Sequence, residues 1–463
     1  MKLAELLSGI EIIEGCYDPE LEVTGVSYDS RETKPGQAFV AIPGFASDGY
    51  RFIPKALERG AGVIICEREP EQKAQYVQVA DCRKALAQLG ANWFGHPADK
   101  MTMLGVTGTN GKTTITYLLK TVLEKTLGAK VGLIGTIQNM IGDTVIHTER
   151  TTPESFELQK LFSEMVDAGC THCVMEVSSH ALVLHRADEI TFETGIFTNL
   201  TEDHLDFHKT MDAYCEAKAM LFSRCKHGVV NTDDAYAPKI MERATCDVLR
   251  YAEKDPDAEL RAEDIALHAG SVEFTAKTRD AQARIQLAIP GGFTVYNALA
   301  VIGAGLTLGI TLGDIAQALI QRLEGHNLIL ISRSLPQPVI PDKVDILINN
   351  AGFGEFSALT NLSDEQIDEM FKVNTLDLIK RTRDLQPQLQ VINIASIAGK
   401  LPTAKSTVYA ASKAAVLAFS DALRLEKPDL IVTTVNTGPV LTKFHKGNAD
   451  YLEKVGKNVV SAD

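Results

Sequence analysis

The nonapeptide Gly105-Val-Thr-Gly-Thr-Asn-Gly-Lys-Thr113 constrains this chain more than any other segment. The apolar run MTML precedes it and the helix-like ITYLLKTVLEK follows. A strand that ends in a glycine-rich turn and opens a helix is the unit that seats a nucleotide's phosphates. Its glycines let successive backbone N–H groups converge on phosphate oxygens, and the helix N-terminus adds a favourable dipole. On this reading Gly108, Thr109, Asn110, Gly111 and Thr114 shape the cradle. Lys112 bridges the β- and γ-phosphates, and the Thr113 hydroxyl reaches Mg²⁺. The spacing departs by one residue from the general GxxxxGK[ST] pattern, whose first glycine would fall at Val106. The competing reading is an ordinary glycine-rich turn with a lysine nearby.

Strand-like and helix-like runs alternate around this loop, which predicts an α/β protein. Residues 1–98 read as a small N-terminal α/β domain, and HPADK (96–100) as a linker. Residues 99–320 read as a central phosphate-loop domain with a doubly wound, mainly parallel sheet. Residues 321–463 start a further α/β pattern, a Rossmann-like fragment. With 463 residues the chain is long enough for about two to four domains.

A net charge of −14 argues against nucleic acid or an anionic membrane surface as partner. Residues 321–463 carry 16 basic and 16 acidic side chains, so residues 1–320, with 30 and 44, hold the whole excess. All eight cysteines lie at or before Cys246. This asymmetry hints that the two parts have different histories. The cysteines fit reduced, mostly buried thiols, and the Cys170/Cys173 pair stands alone, so core packing is its default. No apolar run reaches the roughly 18 residues of a membrane span. The opening MKLAELLSGIEIIEGCYDPE lacks a basic region followed by an apolar stretch, so a cytoplasmic location is expected.

The variant GTNGKTT resembles the loop of the Mur ligases and of folylpolyglutamate synthetase, which form amide bonds at the expense of ATP. Other segments extend the resemblance to the Mur ligases that make UDP-muramoyl-tripeptide. Tyr28 to Gly44, YDSRETKPGQAFVAIPG, is similar to their uridine-nucleotide signature, with Ser30 and Arg31 at UDP-sugar contacts. Arg150-Thr-Thr-Pro153 places Thr151 and Thr152 toward sugar or peptide. Met175 to Arg186, MEVSSHALVLHR, resembles the family's central strand and following loop. There Glu176 would hold Mg²⁺, while Ser178 and Arg186 would contact the muropeptide. Leu184 stands where many members have glutamine. A lone carboxylate ending an apolar strand is costly without a partner, which independently marks Glu176.

In Asn199 to His208, NLTEDHLDFH, His204 resembles the second-metal ligand, against the plain reading of a solvated loop histidine. Lys218 in CEAKAM matches the lysine that the family carbamylates into a metal ligand. Its plain alternative is one surface lysine among many. Asn297 in FTVYN matches an asparagine near the ATP base, although Thr294 replaces the first asparagine of that motif. The resemblance therefore implies ATP and Mg²⁺ as cofactors, and UDP-muramoyl-dipeptide and a diamino acid as substrates. It also implies acyl-phosphate activation of a D-glutamyl carboxylate. The third domain, which would bind the diamino acid, is not recognised.

After about Ile320 the resemblance changes to a short-chain dehydrogenase/reductase. It rests on NNAG (Asn349–Gly352, with Asn350 and Gly352 toward cofactor), Asn374, Ser396, Tyr409-Ala-Ala-Ser-Lys413 and Asn436-Thr-Gly-Pro-Val440. Ser396 lies 13 positions before Tyr409, and Tyr409 and Lys413 share a helical face. Lys413 would lower the tyrosine's pKa so that Tyr409 transfers a proton while a nicotinamide takes hydride. The glycine-rich turn that seats a dinucleotide pyrophosphate is absent from the segment ahead of Gly325–Arg333, GHNLILISR. Weak NAD(P) affinity is therefore expected. The chain reads as a chimera with a seam between Gly313 and Gly325. Three functions follow: an ATP-dependent ligase impaired by the missing domain, an NAD(P)-dependent oxidoreductase, or a non-catalytic chimera.

Overall fold

The computed structural model describes all residues except 45–47, 149, 269–270, 322–343, 437–439, 442–459 and 462–463. The chain divides into two compact units, Met1–Gly325 and His326–Asp463, each described here by itself.

The first unit opens with a five-stranded sheet in the order β1-β5-β4-β3-β2. Its strands are β1 (Ile12–Cys16), β2 (Val26–Ser27), β3 (Ala38–Val40), β4 (Val63–Cys66) and β5 (Tyr76–Val79). All pair in parallel except β1, which runs antiparallel to β5. The helix Cys82–Phe94 follows. Asp81 caps it by accepting from the Arg83 and Lys84 N–H groups, and Gly95 ends it in the left-handed conformation.

The central sheet has eleven strands among the described residues, ordered β16-β15-β14-β13-β12-β11-β6-β10-β7-β8-β9. Its parallel core is β14 (Leu260–Leu267), β13 (Asp247–Ala252), β12 (Cys225–Asn231), β11 (Phe192–Phe197), β6 (Thr102–Thr107), β10 (His172–Glu176) and β7 (Val131–Ile134). Antiparallel strands flank it: β8 (Asn139–Ile141) and β9 (Thr144–Ile146) at one edge, β15 (Val272–Lys277) and β16 (Gln282–Leu287) at the other. Both faces are covered, as parallel strands require. Leu104, Val106 and Val174 pack with the helices Lys112–Leu127 and Phe293–Thr307. Met103, Cys173 and Met175 face the other way, toward Phe162 of Ser155–Asp167 and Tyr214 of Met211–Ala219. The expected doubly wound, mainly parallel architecture is borne out. So is the buried, unpaired state of Cys170 and Cys173.

In this topology β6 lies between β10 and β11, so chain leaves the sheet on either side of it. The crevice beyond the carboxyl ends of such strands is where doubly wound sheets bind ligands. The phosphate loop, Thr136, Glu176 and residues 198–204 all follow those ends.

The second unit carries a three-stranded parallel sheet, β17 (Ile346–Asn349), β18 (Gln390–Ile394) and β19 (Ile431–Val435). Leu347, Val391 and Val432 are buried on one face. On the other, Ile346, Ile348 and Ile431 are 47%, 55% and 62% exposed, unlike the two-sided burial of most parallel sheets. The helices Asp364–Phe371, Asp377–Leu385 and Thr407–Glu426 belong to this unit. The segment Gly325–Arg333 and most of the Asn436–Val440 motif lie outside the described residues.

Candidate functional site

A cleft of about 260 Å³ opens beyond the ends of β6, β7, β10 and β11. It is lined by Thr109, Asn110, Gly111, Lys112, Thr113, Thr114, Thr136, Thr151, Glu176, Ser178 and His204. The first six belong to the phosphate loop and the start of its helix, so their backbone N–H groups converge on the same space.

Two glycines make the loop possible. Gly111, at φ +89°, immediately precedes the helix, and a Cβ there would lie 2.5 Å from the Asn297 carboxamide oxygen. Gly108, at φ +150°, sits against Thr198, where a Cβ would lie 1.8 Å from the hydroxyl. That hydroxyl donates to the Asn110 carbonyl (2.7 Å), and the Asn199 side chain accepts from the Asn110 N–H (2.9 Å). The loop is thus clamped from β11's end. Asn297 is buried beneath the loop and does not line the cleft.

Glu176 forms the cleft's acidic floor and is 1% exposed. One carboxylate oxygen accepts from the Thr113 hydroxyl (2.9 Å) and the Thr136 N–H (3.0 Å), and the other from the Thr136 hydroxyl (2.9 Å). Among the described residues no three His, Cys, Asp or Glu side chains converge as a metal cage. A single carboxylate with a threonine hydroxyl still suits Mg²⁺, which takes few protein ligands and completes its shell with water and phosphate oxygens. His204 stands on the rim, about half exposed, with its ring 5.0 Å from that of His180.

Lys112 and Lys218 both donate to the Gly108 carbonyl, at 2.8 and 2.9 Å. Burial depresses both pKa values, and the neighbouring Lys112 charge depresses Lys218 further. Lys218 is 1% exposed and lies 4.5 Å over the Tyr214 ring. The plain alternative of a surface lysine is therefore wrong: the residue is buried behind the loop.

The residues expected at the substrate divide into three groups. Ser178 and Thr151 line the cleft. Thr152 is buried, and its hydroxyl donates to the Glu176 carbonyl (2.8 Å) and accepts from the Ser178 N–H (3.2 Å), so it braces the end of β10. Arg186 donates to the Thr152 carbonyl (3.2 Å) and pairs with Glu154 (2.6 Å). Ser30 is buried, whereas the exposed Arg31 guanidinium lies on Asp29 at 2.6 Å. Thr136 was not foreseen, because one threonine in GTIQN carries no spacing signal. Its role follows from β7 pairing beside β10, with Ile134 opposite Met175.

In the second unit Gly352, Asn374 and Lys413 meet. A Cβ on Gly352 would lie 3.1 Å from the Lys413 amine and 3.2 Å from the Asn374 carboxamide oxygen. Lys413 donates to the Ile394 carbonyl (2.8 Å), and burial lowers its pKa to about 8. Asn374 lies in the π-helical turn Lys372–Leu376 and bonds both the N–H and the carbonyl of Phe353. Tyr409 is buried with its ring 5.3 Å from Phe356. Ser396 caps the turn Ile397–Gly399, and Asn350 is exposed at the end of β17.

Comparison with known proteins agrees with this layout. Residues 106–305 match the Mur ligase middle domain and residues 22–94 the Mur ligase family catalytic domain. Residues 337–451 match the short chain dehydrogenase model. A Clostridium botulinum protein named UDP-N-acetylmuramoyl-L-alanyl-D-glutamate--2,6-diaminopimelate ligase is 43% identical over 338 residues, 72% of this chain and 66% of its own length. The same-named protein of Clostridioides difficile is 35% identical over 448 residues, 95% of this chain and 87% of its own length. The chain spans just under two thirds of the length of several curated relatives it matches. Among solved structures, a ligase of the same name aligns with TM-score 0.64 at 21% identity, covering 95% of this chain and 93% of that one. An Acinetobacter baumannii UDP-N-acetylmuramoylalanyl-D-glutamyl-2,6-diaminopimelate--D-alanyl-D-alanyl ligase aligns with TM-score 0.53 at 19% identity, covering 98% of both chains. These two likenesses establish the fold. No helix among the described residues is long and apolar enough to cross a membrane.

Proposed function

The chain belongs to the Mur ligase family, and from that membership we propose that its first unit binds ATP and UDP-muramoyl-dipeptide in the cleft above β6 and β10. The reaction is ATP-dependent amide ligation in peptidoglycan-precursor synthesis. A diamino acid, 2,6-diaminopimelate in the relatives' names, is added to UDP-N-acetylmuramoyl-L-alanyl-D-glutamate. One observation carries this reading above the others: the buried Glu176 carboxylate meets the Thr113 hydroxyl at 2.9 Å, at the mouth of the phosphate loop.

The loop amides and Lys112 would bind the β- and γ-phosphates, once Lys112 leaves the Gly108 and Thr109 carbonyls it now holds. Thr113 and Glu176 would hold Mg²⁺, which supplies charge neutralisation on the phosphates; His204, and Lys218 if carbamylated, would serve a second ion. Ser178, Thr151 and Arg186 orient the acceptor so that its terminal carboxylate takes the γ-phosphoryl group. The resulting acyl phosphate is then attacked by the diamino acid's amine. Ser30 and Arg31 serve the uridine nucleotide. A cytoplasmic site accords with substrates of this kind.

We place the domains at 1–98, 99–320 and 321–463, the last a dehydrogenase-like fragment. Ligand binding and acyl activation reside in the first unit. A second reading rests on the convergence of Gly352, Asn374 and Lys413: weak NAD(P) binding and proton transfer through Ser396, Tyr409 and Lys413. The test is ADP release from ATP, measured with and without UDP-muramoyl-dipeptide and with hydroxylamine as the acyl trap. A trapped hydroxamate that requires both ligands supports the first reading. Nicotinamide oxidation without any hydroxamate would replace it with the second.

A further inference from the structure

Glu154 sits where three arginines meet, just ahead of the helix Ser155–Asp167. One of its oxygens receives Arg150 at 2.8 Å and Arg186 at 2.6 Å, and the other faces Arg83 at 3.9 Å. Its side chain is only 11% exposed. Three guanidinium groups thus share this one carboxylate, with Glu157 one helical turn further on, and arginine stays protonated under all ordinary conditions. Arg150 is 54% exposed, but Arg83 and Arg186 are only 21% and 15% exposed, and a partly buried cationic group of this kind favours the entry of a further anion. The Arg186 Nε–H is buried and has no acceptor among the described residues, although its neighbours on the same guanidinium are bonded to Glu154 and to the Thr152 carbonyl.

The cluster spans both lobes of the first unit. Arg83 comes from the helix Cys82–Phe94 of the N-terminal lobe, whereas Arg150, Glu154 and Arg186 belong to the central one. Nearby, the Tyr28 hydroxyl donates to Glu157, again joining the lobes, and Tyr28 lies two residues before Ser30. The Phe94 and Phe156 rings, 5.2 Å apart, pack the same two helices together. Arg83 therefore joins the cluster only where the lobes are docked, whereas Arg150, Glu154 and Arg186 meet within the central lobe.

We propose that Glu154 is a positioning residue for the acceptor. It fixes the plane of Arg186 and gathers Arg83 and Arg150 into a cationic seat for the acidic terminus of the acceptor, whose second carboxylate is not activated. Arg83 is the N-terminal lobe's contribution to that seat. This rests on the function proposed above and adds Glu154, Arg83 and Arg150 to its recognition apparatus.

Calorimetric titration of the whole chain tests it with two ligands, UDP-muramoyl-L-alanyl-D-glutamate and UDP-muramoyl-L-alaninamide, which lacks the acidic terminus. Loss of the fixed geometry of Arg186 and Arg150 outweighs the negative charge removed from the seat, and sets a loss of about 10- to 100-fold in affinity for the acidic ligand in Glu154→Gln. The neutral ligand should change by less than about twofold, and Glu154→Asp should recover part of the loss. Arg83→Gln should lose roughly 3- to 10-fold, again for the acidic ligand alone. Equal losses for both ligands would mean that Glu154 merely docks the lobes, and would overturn the inference. So would unchanged binding in Glu154→Gln and Arg83→Gln. Wild-type protein that binds neither ligand would overturn the proposed function itself, and this inference with it.

Discussion

Replacing Glu176 by glutamine separates a structural carboxylate from one that serves a cation. The carboxylate accepts three hydrogen bonds, from the Thr113 hydroxyl, the Thr136 N–H and the Thr136 hydroxyl. Glutamine keeps one oxygen for the Thr136 N–H and the Thr113 hydroxyl, and the Thr136 hydroxyl can rotate to accept from its amide group. Exchanging charged for neutral hydrogen bonds costs about 1 kcal/mol for each bond weakened. Relief of the buried charge's desolvation offsets part of that cost. The net loss is about 0–2 kcal/mol, which lowers Tm by roughly 0–3 °C for a unit of this size. The cost to ligand binding is larger, because a Mg²⁺ ion loses its one protein carboxylate. Affinity for MgATP should fall at least about 30-fold, equivalent to about 2 kcal/mol. Affinity for ATP with excess chelator should stay level or rise, since a negative charge leaves the phosphate site. Isothermal titration with and without Mg²⁺ measures both. Equal losses under the two conditions, or none with Mg²⁺, would refute the assignment.

Lys112→Ala should abolish measurable nucleotide binding while leaving UDP-muramoyl-dipeptide affinity within about threefold, read by separate titrations. Thr198→Val removes the donor to the Asn110 carbonyl and should weaken ATP binding by about three- to tenfold, with little effect on the UDP substrate. Lys413, whose pKa is lowered by burial to about 8, makes the second unit's stability pH-dependent. Its depressed pKa means that the unfolded chain binds the extra proton between about pH 8 and the ordinary lysine value near 10.4. Stability therefore rises with pH across that window, by at most about 1.4 kcal/mol per pH unit. Urea unfolding of wild type and Lys413→Met at several pH values checks this; parallel curves would contradict it.

Much of the first unit was legible because its motifs are local. The strand, glycine turn and helix of residues 102–127 are contiguous, and Glu176, Ser178 and Thr151 follow strand ends that alternation already marks. What was missed is non-local or contrary to propensity. Leu260–Leu267 reads LRAEDIAL, a string of good helix formers, yet it is a strand, because pairing with β13 and β15 outweighs intrinsic preference. Thr136 acquires a role only through the register of β7 against β10. Lys218 is marked by family resemblance alone, because a polar helix hides which face is buried, and its place behind Gly108 comes from a contact 110 residues away. The arginines around Glu154 come from segments as far apart as Arg83 and Arg186, so no linear pattern announces them.

The central claim is that the first unit is a nucleotide- and UDP-muropeptide-binding ligase module, whatever the last third contributes. Calorimetric titration of the whole chain with MgATP, UDP-muramoyl-dipeptide and NADPH, each alone, tests it most directly. Saturable binding of the first two, loss of MgATP binding in Lys112→Ala, and weak or undetectable NADPH binding are the predicted results. Tight NADPH binding without any response to MgATP, or MgATP affinity unchanged in Lys112→Ala, would contradict it.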